Sequence, residues 1–125
     1  MGIEGKDDVL ILVTNDDGIT AEGIQRLRRA MSGIGSVMVV APQTQKSGAS
    51  HALTLSDPLR SNQIDENTLA VDGTPTDCVN LAITQVLQGL PDLVVSGINK
   101  GYKQYYEGIT FHIFCFVQDK KFHFP

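Results

Sequence analysis

Val9-Leu10-Ile11-Leu12-Val13 is an unbroken aliphatic run, and it ends in Thr14-Asn15-Asp16-Asp17-Gly18. With no polar position in the run, neither face of the segment suits water. That is the pattern of a strand buried on both faces of a parallel α/β sheet. Open sheets of this kind gather their ligands at the carboxyl ends of strands, and this end carries two adjacent carboxylates. Asp16 and Asp17 repel each other, and a cation beside them relieves the repulsion. Turn chemistry gives a second account of the same residues, since Asn, Asp and Gly form turns and cap helices. The rest of the chain has to decide between the two.

Downstream, helical and strand patterns alternate. Residues 21–32 set Ile24, Leu27 and Met31 three and four apart with Arg26, Arg28 and Arg29 between them, an amphipathic helix stopped by Gly33 and Gly35. Residues 36–41 read as a second buried strand, closed by Pro42. A polar loop of small residues follows over 43–52. Residues 52–56 and 67–72 alternate as the two short strands of a hairpin, each partly facing water. Thr74-Pro75-Thr76-Asp77 then has the spacing of a capping box with proline at the first helical position. The helix it starts carries Val79, Ala82, Ile83, Val86, Leu87 and Leu90 on one face. Residues 92–99 form a third buried strand with a polar exit. Strand–helix repeats with short connections predict an α/β fold with a mainly parallel sheet.

A net charge of −4 and the lack of a basic stripe argue against polymeric nucleic acid as a partner. No apolar run reaches the ~20 residues of a membrane span. Residues 1–8 read as a polar extension unlike a secretory leader, and Lys6 stands where a myristoylation motif needs Ser or Thr. Cys78 and Cys115 lack metal-type spacing and fit a reducing compartment, so a cytoplasmic location is expected.

In a parallel sheet the carboxyl ends of neighbouring strands lie together. Asp16 and Asp17 leave the first strand, Ser47 lies in the loop after the second, and Asn99 leaves the third. Carboxylate, hydroxyl and amide oxygens are hard ligands, suited to Mg²⁺ or Mn²⁺, and no His or Cys near these exits suggests zinc. Singly, Ser47 is a loop hydroxyl and Asn99 a turn residue; jointly, three exits supplying one kind of ligand favour a metal site.

Four blocks around these positions resemble the SurE survival-protein family of metal-dependent 5′(3′)-nucleotidases. They are Thr14-Asn15-Asp16-Asp17-Gly18 with Ala21-Glu22-Gly23-Ile24; Val39-Val40-Ala41-Pro42 with Lys46-Ser47-Gly48-Ala49-Ser50 and Leu53-Thr54-Leu55; Gly73-Thr74-Pro75-Thr76-Asp77-Cys78-Val79; and Pro91-Asp92-Leu93-Val94-Val95-Ser96-Gly97-Ile98-Asn99. Together they span roughly residues 9–101. The resemblance implies a Rossmann-like three-layer α/β/α domain that hydrolyses nucleoside monophosphates with one divalent cation, Mg²⁺ or Mn²⁺, per site. It implies homo-oligomers, and it makes Asp16, Asp17, Ser47 and Asn99 the metal ligands. Asp16 is then the choice for taking a proton from a metal-bound water. Asn15 either holds a carboxylate or touches the phosphate. Ser47, Gly48 and Ser50 offer hydroxyls and backbone N–H groups to phosphate oxygens. The helix start at residues 74–77 is either a second anion site or only a cap.

The resemblance stops near residue 101, where family members, about twice as long, continue with a second asparagine; Lys103 stands in its place. All eight aromatic residues, from Tyr102 to Phe124, lie beyond the same point. Residues 102–125 thus form a divergent tail: an ordinary last strand, a partner-binding strand, or the product of splicing or a gene-model error. Any structure in it is expected to be irregular or a loosely attached strand, with several aromatics exposed and an unpaired sheet edge beside it. Two functional readings follow: a short nucleotidase, or a truncated, inactive or regulatory product that pairs with full-length subunits. A two-component receiver domain is rejected, because Ser96-Gly97 stands where its phosphoacceptor aspartate belongs.

Overall fold

The computed structural model describes residues 9–45, 58–87, 89–102 and 107–115, the last segment and residues 99–102 by their backbone alone. Strand β1 (Leu10–Thr14) leads through a turn to helix α1 (Glu22–Met31) and strand β2 (Ser36–Pro42). A hairpin of β3 (Arg60–Asp65) and β4 (Thr68–Asp72) follows, then helix α2 (Pro75–Leu81), which continues as a π-helical turn over Ala82–Val86. Strands β5 (Leu93–Tyr102) and β6 (Glu107–Cys115) complete a six-stranded sheet in the order β3-β4-β2-β1-β5-β6. The pairs β1–β2, β1–β5 and β2–β4 are parallel, while the outer pairs β3–β4 and β5–β6 are antiparallel.

Alternation in the strands sorts the core into two layers. Ile11, Val13, Val39, Ala41, Ala70 and Val95 pack with Ile24 and Leu27 of α1, whereas Leu12, Val40, Val71 and Val94 pack with Cys78 of α2 and Ala82. The helices therefore cover opposite faces, which is the three-layer α/β/α arrangement expected of this pattern. At the head of α2 the Thr74 hydroxyl accepts from the Asp77 amide at 3.0 Å and the Asp77 carboxylate accepts from the Thr74 amide at 2.9 Å. Both halves of the capping box are made, with Pro75 behind the cap.

Two expectations need correction. The hairpin partner of β4 is β3, not residues 52–56, which lie outside the described residues. All six β3 residues are exposed, so this edge strand carries no apolar alternation for a sequence reading to find. The α2 face planned to reach Leu90 is buried only in part. After Ala82 the Leu87 amide bonds the Ala82 carbonyl at 2.7 Å, five residues back, and Val86 and Leu90 are exposed. Beyond residues 103–106 the tail forms the antiparallel edge strand β6, with eight register pairs along β5 and a register shift between Ser96 and Asn99. Its backbone covers the β5 edge, and Ile109, Thr110, Phe111, Ile113 and Phe114 supply the β propensity for it. The side chains of the aromatic tail lie outside the described residues.

Candidate functional site

The carboxyl end of β1 sits between those of β2 and β5, since all three run parallel and adjacent. Here the chain makes a tight turn over residues 15–18. Asn15 is wholly buried, and its carboxamide bridges the turn: Nδ2 donates to the Gly18 carbonyl at 2.8 Å, and Oδ1 accepts from the Gly18 amide at 3.1 Å. Asp16 and Asp17 occupy the two positions inside the bridge and are half-buried. The turn does not cap α1, whose N-cap is Ala21 with no side-chain hydrogen bond.

Two close approaches fix this turn against its neighbours. Gly18 has φ +106°, and a Cβ on it would come within 3.2 Å of the Thr44 backbone just beyond β2. The adjacent Ile19 amide bonds the Pro42 carbonyl at 2.8 Å. On the other side, a Cβ on Gly23 in α1 would collide with the Ile98 carbonyl oxygen of β5. Glycine at this position lets the start of α1 rest on the strand one residue before Asn99. Thr14 pairs with Ser96 in the β1–β5 ladder, so Asn99 follows three residues beyond the level at which β1 ends.

The sequence-predicted residues therefore divide into three groups. Asp16, Asp17 and Asn15 share one turn. Asn99 is in the adjacent strand, its backbone paired to Thr110, with its side chain outside the described residues. Ser47, Gly48 and Ser50 also lie outside them, two or more positions past Gln45. Among the described residues no three His, Cys, Asp or Glu side chains gather to hold a metal. Asp16 and Asp17 with neutral oxygen ligands would make a donor set that fits a hard divalent ion. The Thr74–Asp77 start is occupied by its own capping box, which favours the cap over the anion site.

Cys78 is 0 % exposed beneath this end of the sheet. Burial, with the Asp77 charge adding to it, pushes its thiol up to about 12, while the Thr14 hydroxyl pulls weakly the other way. A thiol so protonated is a core residue and no nucleophile. A separate cavity of about 180 Å³ opens between α1 and the β3–β4 hairpin, lined by Ile19, Gln25, Arg28, Ile64, Asp65 and Thr68 among others, without either aspartate of the turn. Sequence reasoning missed the Asn15 bridge and the Gly23 contact. Asn-x-x-Gly was a visible signal for the first; nothing local signals the second.

A mainly parallel α/β sheet with an acidic turn at the exit of a central strand defines a Rossmann-like domain with its ligand crevice at the strand ends. Residues 11–105 match the family model described as Survival protein SurE, and the chain belongs to that family. It is 58 % identical over 91 residues to the 5'-nucleotidase SurE of Geotalea daltonii, covering 73 % of this chain and 37 % of that protein. To the 5'-nucleotidase SurE of Legionella pneumophila it is 56 % identical over 91 residues, covering 73 % and 36 %. The crystal structure of the SurE protein from Aquifex aeolicus superposes with a TM-score of 0.71 at 46 % identity, over 74 % of this chain and 38 % of that one. The chain thus spans little more than a third of the relatives it matches. Among the described residues no helix is long and apolar enough to cross a membrane.

Proposed function

We propose that this chain carries the catalytic turn of a divalent-metal-dependent nucleotidase, acting on the phosphate monoester of nucleoside monophosphates. One observation carries the reading: a half-buried aspartate pair at the exit of a strand flanked by two parallel neighbours, in a chain whose relatives are named 5'-nucleotidases. Asp16, Asp17, Ser47 and Asn99 would hold one cation, Mg²⁺ or Mn²⁺. When bound it would supply a polarised phosphoryl oxygen and a water acidic enough to attack near neutral pH. Asp16 would accept the proton from the attacking water as its oxygen bonds phosphorus and the ester P–O bond breaks, releasing the nucleoside hydroxyl. Asp17 would serve as a ligand to the cation. Ser47, Gly48 and Ser50 would offer hydroxyls and backbone N–H groups to the phosphate oxygens.

In a family-length subunit carrying these residues, phosphate release from nucleoside monophosphates should require Mg²⁺ or Mn²⁺, and Asp17→Asn should abolish it. Full turnover in excess EDTA would exclude the mechanism. A second reading, that the chain is an inactive or regulatory partner of longer subunits, is favoured by the end of the family match at residue 105, inside the chain. Residues 1–8 as an extension and 102–125 as a divergent tail belong to that reading. An exon boundary near codon 101 would support it, and phosphate release by the isolated chain would refute it.

A further inference from the structure

We propose that Asn15 is the positioning residue of the Asp16–Asp17 turn, and that its carboxamide, not the loop's own preference, sets where the two carboxylates point. The inference rests on the cation reading of that turn. Asn15 has no exposed surface, so a substrate phosphate cannot reach it. Its two polar atoms instead close on one residue, donating to the Gly18 carbonyl and accepting from the Gly18 amide. The same Gly18 carbonyl also accepts from the Ala21 amide at 3.1 Å, which ties the bridge to the entry of α1. Gly18 in turn lies against Thr44 and Gln45, the last described residues before Ser47. One side chain therefore fixes the backbone of both aspartates and the seat on which the second ligand loop departs. Groups that orient ligands without touching the metal are worth about as much as a weak ligand, roughly 10–100-fold in affinity.

The test is Mn²⁺ binding by the 125-residue chain, in the absence of any phosphate, followed beside thermal unfolding. Asn15→Ala should weaken Mn²⁺ binding roughly 10–100-fold. Gly18→Ala should do the same from the other end of the bridge, and the double variant should lose less than the sum. Thr74→Ala, which loosens a cap on the opposite face, should lower the melting temperature and leave Mn²⁺ affinity unchanged; this separates positioning from general destabilisation. If Asn15→Ala does not fold, Asn15→Ser keeps an acceptor for the Gly18 amide and should show an intermediate loss. Unchanged Mn²⁺ affinity in the Asn15 variants, in a chain where Asp17→Asn abolishes binding, overturns the inference and leaves the cation reading standing. A wild-type chain that binds no Mn²⁺ overturns both.

Discussion

Ile11 and Val13 of β1 turn towards α1, and Leu12 between them turns towards α2, so the two faces of the sheet are built from the same strands by the same alternation. The faces finish differently. On the first, both ends of the apolar stripe of α1 find cover: Ile24 is 1 % exposed, Leu27 is buried, and Met31 packs at the margin. On the second, α2 starts with a complete capping box and buries Cys78 and Ala82, after which its apolar residues come out, with Val86 at 36 % and Leu90 at 43 % exposed. A capped start sets where a helix begins, but only a facing surface makes its stripe a core. The α1 layer has that surface along its length; the α2 layer has it for its first two turns.

Substitutions can break or sharpen this contrast. The largest effect is expected from Ile24→Ala, which should cost about 2–5 kcal/mol in urea unfolding, as deleting a buried branched side chain does. Leu90→Ala should change stability by no more than about 0.5 kcal/mol, as at an exposed site. Equal losses at the two positions would erase the distinction between the faces.

Next is the pH response of the α2 face. Cys78 has its pKa raised from 9.0 to about 12, so the folded chain holds this proton more tightly than the unfolded one. The stability this contributes is fully present below pH 9 and is lost as pH rises towards 12. In a Cys115→Ser background, chemical unfolding should show that alkaline decline, and a thiol reagent at neutral pH should label Cys78 only on unfolding. Rapid labelling of the native chain would mean the α2 layer is open.

Thr74→Ala should cost about 1 kcal/mol by removing the cap, a loss confined to the second face. The smallest effect belongs to the solvent side of α1. Glu22 and Arg26 pair there at 2.6 Å with both side chains exposed, so Arg26→Ala should cost about 0.3–0.5 kcal/mol and less in high salt.

How much could be read in advance follows the same physics. The aliphatic runs, the α1 stripe and the Thr74–Asp77 box are local patterns with one physical meaning each, and they gave β1, β2, β5, both helices and their layers. β3 was missed because an exposed edge strand needs no apolar face, and its pairing is set by the partner's ladder. The early end of α2 burial was missed because periodicity reports the helix and not what it packs against. At the site, Asp16, Asp17 and Asn99 were placed on adjacent exits by chain order alone. The bridge from Asn15 to Gly18 needed the turn's geometry before its role could be seen, and the seat of α1 on Ile98 depends on a contact 75 positions away in the chain.

The central claim is that the turn at the exit of β1 holds a divalent cation through its aspartates. Calorimetric titration of the 125-residue chain with Mn²⁺ tests it most directly. The account predicts one bound ion per chain for the wild type and none for Asp17→Asn, with both proteins folded. Equal binding by the two, or a folded wild-type chain that takes up no ion, would contradict it.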